Sequence, residues 1–237
     1  MNKNQKILIF DIESSYNQGL FFDVWETNIP ANNITTPSHI HCIAYKWYGE
    51  KKTHVISQCE FPRFKKDIHD DTDVLKEFKK VVEQADILVG HNINRFDIRK
   101  INARLILKGL EPTPHTETID TLQLARRYFK FNHNSLDAVA KALGYRGKLD
   151  NPKNLWIDCF FGNIKKLNQM SKYCKNDVRI NEFVFTKLLP FMNSKITKEF
   201  ICGNPICKSE NLQLRGMRGN KQRFQCNDCG KWGYCRI

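Results

Sequence analysis

The sequence predicts an α/β fold, a mixed sheet with helices on both faces, followed by a small cysteine-rich module. Three observations carry this. The run Ile7–Leu8–Ile9–Phe10 is apolar without interruption, as in a central strand buried on both faces. Strand-like segments come first and then alternate with helical periodicity, the pattern of a mixed sheet covered on both sides. Five of the nine cysteines fall in the last 36 residues. A chain of 237 residues, 41% hydrophobic, is long enough for one ordinary domain plus a small appendage.

Taken in order, residues 6–10 read as the first strand. Residues 14–38 read as irregular, being rich in Asn, Gly and Pro. This loop carries Tyr16, Phe21, Phe22 and Trp25, which either stack on bases or pin the loop to the core. Residues 41–48 and 53–57 read as a hairpin turning at Gly49–Lys52. Asp71 and Thr72 start a helix with Val74, Leu75, Phe78, Val81 and Val82 at helical spacing. Ile87–Val89 is a short buried strand that stops at Gly90–His91–Asn92. The helix from about residue 94 or 95 turns Ile98, Ile101 and Leu105 inward. A strand at Thr118–Ile119 leads into a helix through Leu122, Leu124 and Ala125. Asn134 or Ser135 caps the next helix, with Gly144 as its stop. Residues 145–161 read as a connection, and helical spacing then runs from Ile164 to near Pro190. No repeat or low-complexity tract is present.

No apolar run reaches the length of about 18 residues that a membrane span needs, and no signal-peptide core is present near residue 1. The expected location is cytoplasmic. The formal net charge of +13 suggests an anionic partner, nucleic acid above all.

The first strand runs into Asp11 and Glu13. Strand residues two apart point to the same side, so the two carboxylates project together. Like charges held that close need a cation between them, and a divalent ion with oxygen ligands fits. Asp97 falls in the first turn of a helix, where the helix dipole alone also favours an acid. Tyr173 and Asp177 are four apart on the long last helix and share one of its faces. Asp120 and Asp137 read as helix caps, and His91 as a turn residue or a substrate contact. Asn92 reads as a turn residue or a substrate contact, and Phe96 reads as core.

Asp11-Ile12-Glu13, Gly90-His91-Asn92-Ile93-Asn94-Arg95-Phe96-Asp97 and Tyr173-Cys174-Lys175-Asn176-Asp177 resemble, in order, the three motifs of the DEDD exonucleases. The tyrosine four residues before the last Asp points to their tyrosine branch, which includes the proofreading domains of DNA polymerases. Residues 119–122 and 135–144 resemble connecting segments of the same domains. The resemblance covers roughly residues 6–190 and implies an RNase H-like fold on a mixed five-stranded sheet. The whole chain is similar to stand-alone exonucleases of tailed bacteriophages that carry a C-terminal zinc ribbon and accompany a DNA polymerase. The stretch after Pro190 is too short for a polymerase domain.

The resemblance implies a 3′→5′ exonuclease releasing nucleoside monophosphates from DNA, in phage replication, proofreading or processing. Asp11, Glu13, Asp97 and Asp177 would hold two Mg²⁺ or Mn²⁺ ions, about 3.5–4 Å apart in such sites. Asp11 would bridge the ions, with Glu13 and Asp177 on the water-activating side and Asp97 on the leaving-group side. Tyr173 would orient the attacking water, since a phenol with a pKa near 10 is a poor base at neutral pH. The implied partners are single-stranded DNA or a DNA 3′ end, and a DNA polymerase or other replication protein. An RNA 3′-exonuclease is the alternative within enzymes. A DNA-binding accessory or docking protein with secondary nuclease activity is the alternative outside them.

Cys42, Cys59, Cys159 and Cys174 are scattered along the first part of the chain. Cys202 and Cys207, then Cys226 and Cys229, form two chelating pairs suited to tetrahedral Zn²⁺. Gly230 fits a tight knuckle turn, residues 211–214 and 222–225 read as short strands, and the whole resembles a zinc ribbon. Cys235 is a spare thiol. A module this small has too little core to fold alone, so the zinc would be structural. The expected organisation is a nuclease domain over 1–192, a linker over 193–200 and the ribbon over 201–237. From Lys195 onward nine Lys or Arg stand against three acids. Arg215, Arg218, Lys221 and Arg223 cluster at the ribbon hairpin and are candidates to grip a nucleic-acid backbone. A protein-docking knob is the rival role.

Overall fold

In the computed structural model, residues 6–23, 25, 28–146, 153–191, 201–219 and 221–236 are described. Strand β1 (Ile7–Ser14) is followed by a small separate hairpin of β2 (Gln18–Gly19) and β3 (Ile34–Thr36). Then come β4 (Ile40–Trp47), β5 (His54–Ser57), α1 (Thr72–Val82), β6 (Ile87–Gly90), α2 (Asp97–Leu107) and β7 (Glu117–Asp120). Helices α3 (Thr121–Tyr128), α4 (Leu136–Ala142), α5 (Leu155–Phe160) and α6 (Ile164–Leu188) complete the larger unit. Strands β8 (Leu212–Arg218), β9 (Lys221–Cys226) and β10 (Trp232–Arg236) form a second, three-stranded sheet.

The main sheet has the order β5-β4-β1-β6-β7. β4 is antiparallel to β1 and β5, while β6 is parallel to β1 and β7. This is the mixed five-stranded sheet flanked by helices that the sequence predicts. β1 lies in the middle, which is why its apolar run has no polar face. Ile7 and Ile9 pack with Cys42, Ala44 and the α6 residues Met170, Cys174 and Val178. Leu8, Phe10 and Ile12 pack on the other face with Val74, Leu75 and Phe78 of α1 and Ile101 and Leu105 of α2. The rings of Phe10 and Phe78 sit 4.9 Å apart. Each such buried side chain contributes roughly 1.5–3 kcal/mol.

Four local expectations are corrected. β1 does not stop at Phe10 but continues to Ser14, paired with β4 up to a register shift between Glu13 and Ser14. The two acids therefore lie within the central strand, held by its ladder, not beyond its end. The supposed connection over 145–161 contains α5, which buries Leu155, Cys159 and Phe160. A helix of six residues is too short to show periodicity, and it is entered through Asn154 in the left-handed region at φ 60°. Phe96 is 47% exposed and is not a core residue. The loop aromatics are exposed as well, Phe22 fully and Trp25 by 84%, so they do not pin the loop to the core.

Ile206 of the small unit is buried in the same cluster as Phe185 and Leu189 at the end of α6. Gly230 has φ +75°, and a Cβ there would stand 3.6 Å from the Pro190 ring. The small three-stranded unit therefore packs on the larger one and shares its core. The expected linker 193–200 lies outside the described residues, as does the side chain of Cys235. Among the described residues no helix is long and apolar enough to cross a membrane.

Candidate active site and candidate metal centre

Asp11 and Glu13 project from the α6 face of β1, opposite Ala44 and Cys42 of β4. Asp11 is half-buried and Glu13 is buried. Burial, and then the neighbouring charges of Asp97, Glu13 and Asp177, push the Asp11 pKa well above the carboxylate range. Burial also raises Glu13, with Asp177 and Asp97 adding to it. Asp97, buried at the first turn of α2, is pushed up to about 7, chiefly by burial. Its carboxylate accepts hydrogen bonds from its own backbone N–H and from that of Ile12, which ties α2 to β1 between the two strand acids. The fold thus brings all four predicted acids into one electrostatic group.

Tyr173 and Asp177 share a face of α6 as predicted, and the phenol is hydrogen-bonded to the Asp177 carboxylate. Burial and then the charges of Asp177 and Glu13 raise the Tyr173 pKa, so the hydroxyl keeps its proton and acts as a donor. Trp156 of α5 completes this side. Its indole N–H donates to Glu13, and its ring meets Tyr173 edge-on at 5.9 Å. The sequence reading missed Trp156 because it lies in the short helix taken for a connection.

The turn between β6 and α2 explains the Gly90–His91–Asn92 sequence. A Cβ on Gly90 would come within 2.7 Å of the Ile93 Cβ. Asn92 sits at φ 69°, a region that Asn tolerates better than most residues. Its N–H donates to Asp120 Oδ1 at 3.0 Å. His91 bridges the Thr121 hydroxyl at 3.0 Å and the Asn134 carbonyl at 2.9 Å, as a turn residue would. Asp120 is the expected cap of α3, accepting from Leu122 and Gln123, and it also holds this turn. Thr121 donates to Asn181 Oδ1 at 2.8 Å, one turn beyond Asp177 on α6. The segments carrying Asp97 and Asp177 are therefore joined through Asp120 and Thr121. Ser135, not Asn134, caps α4; Asp137 is not the expected cap but lies inside its first turn, paired with Lys141 at 3.0 Å.

The cysteines scattered in the sequence are gathered by the fold. Cys42, Cys159 and Cys174 lie in one core cluster with Cys59 packed against it. The Cys174 thiol donates toward the Asp11 carbonyl at 3.4 Å and Oδ2 at 3.6 Å.

The favourable partners of the acids are hydrogen-bond donors: Cys174 for Asp11, Trp156 for Glu13 and a backbone amide for Asp97. The remaining repulsion is what a divalent cation would offset, so the donor set fits one.

The second centre is Cys202, Cys207, Cys226 and Cys229, whose sulfurs all lie within 4.8 Å of one another. Cys202 and Cys229 are 3.5 Å apart, and Cys207 and Cys226 are 3.6 Å apart. Tetrahedral zinc with Zn–S bonds of about 2.3 Å sets sulfur separations of about 3.8 Å, so the cluster suits that ion. Lys231 supplies a second line of fit. It is 1% exposed, donates to the Gly203 carbonyl at 2.9 Å and faces Cys202 and Cys229. A buried ammonium needs a counter-charge, and four thiolates around one Zn²⁺ carry a net −2. Arg215, Arg218, Lys221 and Arg223 lie on β8 and β9 of this sheet. The Arg215 and Arg223 guanidinium groups sit 6.0 and 5.0 Å from the Trp232 ring centre.

A model of the RNase H superfamily matches residues 20–189. The DNA polymerase III PolC-type of Ureaplasma parvum serovar 3 (strain ATCC 700970) is 39% identical over 156 residues, 66% of this chain and 10% of that protein. The chain thus spans about a tenth of that relative's length. The structure of the family B DNA polymerase from the hyperthermophilic archaeon Pyrobaculum calidifontis aligns with a TM-score of 0.58 at 20% identity. That alignment covers 79% of this chain and 25% of the polymerase, a likeness of fold alone.

Proposed function

Since this chain belongs to the RNase H superfamily, we propose that it is a 3′→5′ exonuclease of the DEDD type, tyrosine branch, acting on DNA. The single observation that carries the reading is the approach of the Asp11 and Glu13 carboxylates to within 4.8 Å of each other, with Asp97 and Asp177 near enough to raise the pKa of both. The DNA polymerase relative and the basic composition support a DNA substrate. Phage replication or DNA processing is the proposed setting, and a replication polymerase the proposed partner.

Asp11, Glu13, Asp97 and Asp177 are the residues that would hold two Mg²⁺ or Mn²⁺ ions. When bound, the ions supply a water of lowered pKa and charge stabilisation for the leaving 3′ oxygen. The chain's own groups do the positioning. Trp156 fixes the Glu13 carboxylate, and the Ile12 amide fixes that of Asp97. Tyr173 keeps its proton and orients the attacking water by hydrogen bonding. Phe96 and the loop aromatics Tyr16, Phe21, Phe22 and Trp25 offer exposed rings for base stacking near the acids in sequence.

Cys202, Cys207, Cys226 and Cys229 would hold one structural Zn²⁺. Arg215, Arg218, Lys221 and Arg223 would contact phosphates. The Asn92 side chain would contact the nucleic acid from the turn that its backbone N–H ties to Asp120.

The test uses end-labelled single-stranded DNA, duplex DNA and RNA with Mg²⁺ or Mn²⁺, comparing 5′ and 3′ labels. Stepwise loss from the 3′ end of DNA, absent in Asp11→Ala, is expected. Internal cuts, preference for RNA, or full activity of Asp11→Ala would overturn the reading.

A further inference from the structure

The carboxylate site contains a donor that hard cations do not use. One carboxylate oxygen each from Asp11 and Glu13 and the sulfur of Cys174 all lie within 4.8 Å of one another. The thiol is fully buried on α6 and already aimed at Asp11, 3.4 Å from its carbonyl and 3.6 Å from Oδ2. Its neighbours Met170 and Val178 hold the helix face against β1, so the sulfur is fixed in place. We propose that this site has a second, thiophilic mode, in which Asp11, Glu13 and the Cys174 thiolate together bind a soft divalent ion such as Zn²⁺ or Cd²⁺ and thereby block cleavage. The proposal rests on the reading of Asp11 and Glu13 as ligands of the catalytic ions.

The chemistry separates the two modes. Mg²⁺ takes oxygen ligands and leaves a thiol alone. Thiolate donors select soft or borderline ions, and mixed oxygen–sulfur sets favour Zn²⁺ and Cd²⁺ over Mg²⁺. In the Mg²⁺ state the thiol keeps its proton and remains a hydrogen-bond donor to Asp11. When a soft ion enters, the metal–sulfur bond forms, the thiol proton passes to solvent and the hydrogen bond to Asp11 is exchanged for shared coordination. The ion then holds the same two carboxylates that the hard ions require, so the modes compete. Zinc would thus have opposite effects on one chain, structural in the ribbon and inhibitory at the carboxylates.

The test is a Cd²⁺ titration of the full chain with its ribbon zinc-loaded, followed by the ultraviolet thiolate-to-cadmium absorbance. The ribbon is common to wild type and Cys174→Ser, so their difference isolates Cys174. Wild type should show one additional cadmium–thiolate signal. Cys174→Ser should lose it and resist Cd²⁺ inhibition of Mg²⁺-dependent cleavage by about tenfold or more, the order expected when a metal-site residue is removed. Cys174→Ala serves as the second variant, with circular dichroism confirming that each is folded. Coincident titrations of wild type and both variants overturn the thiophilic mode. If Asp11→Asn nonetheless loses cleavage, the underlying carboxylate reading stands. If Asp11→Asn keeps both the extra signal and cleavage, that underlying reading fails and the thiophilic mode fails with it.

Discussion

The indole ring of Trp156 meets the phenol ring of Tyr173 edge-on, their planes at 76°, while its N–H serves the Glu13 carboxylate. One side chain thus orients two members of the proposed catalytic group, one on β1 and one on α6. Trp156→Phe keeps the ring and removes the donor. It should lower kcat about 10–100-fold, the range for loss of a residue that supports a metal ligand. Metal affinity should weaken with it, read by Mn²⁺ titration. Unchanged kcat and Mn²⁺ affinity would show that Glu13 needs no such support.

Acid should destabilise the fold through its buried histidines. His39 and His41 are fully buried, with ring centres 4.8 Å apart, and His69 packs 5.0 Å from His39. Burial, followed by His41, His69, Arg104 and Lys100, lowers His39 to about 2. Burial and His69 lower His41 from 6.5 to about 4. Both rings are neutral in the fold, so their contribution is complete above pH 6.5 and is lost as pH falls from there toward their folded values. For His41 alone the loss is about 3 kcal/mol by pH 4. Urea unfolding at pH 7 and pH 4 measures it. His41→Asn, which keeps an acceptor for Gln58 Nε2, should flatten the slope.

The buried ammonium of Lys231 predicts how the cysteine centre responds to charge. Lys231→Met removes the cation facing Cys202 and Cys229. Zinc affinity should fall about 10–100-fold, measured by competition with a chromophoric chelator. Because Ile206 shares a core with Phe185 and Leu189, zinc removal should also raise amide exchange at the end of α6. Exchange confined to residues beyond 200 would mean that the shared core survives without the ion.

The basic face of the ribbon is best tested by substitution. Deleting the ribbon would uncover the core around Leu189 and confound affinity with folding. Replacing Arg215, Arg218, Lys221 and Arg223 together by Ser should weaken binding to single-stranded DNA. It should also reduce the slope of log affinity against log salt by up to about 0.7 per lost phosphate contact. An unaltered slope would leave the ribbon as a protein-docking element.

Much of the site was legible because its signals are local. Asp11 and Glu13 share a strand face at a spacing of two, and Tyr173 and Asp177 share a helix face at a spacing of four. Cys202, Cys207, Cys226 and Cys229 carry their pairing in their spacing. Asp97 was legible only as an acid in a first helical turn, and its place beside β1 depends on the Ile12 amide. The exposure of Phe96 was misread because an aromatic between a turn and a helix has no periodicity to assign it a side.

The sequence alone determined the elements and the donor types: a doubly buried central strand carrying two acids, a long helix carrying a phenol and an acid, and four paired thiols. These follow from backbone periods and ligand chemistry, which act over a few residues. Only the tertiary structure decided which distant groups meet. It set Trp156 on Glu13, Asp120 under the turn that leads to Asp97, Ile206 in the core of the larger unit and Cys174 on Asp11. The last two residues lie 163 positions apart in the chain. Such contacts depend on how helices pack across a sheet, and that is set by the summed burial of many side chains.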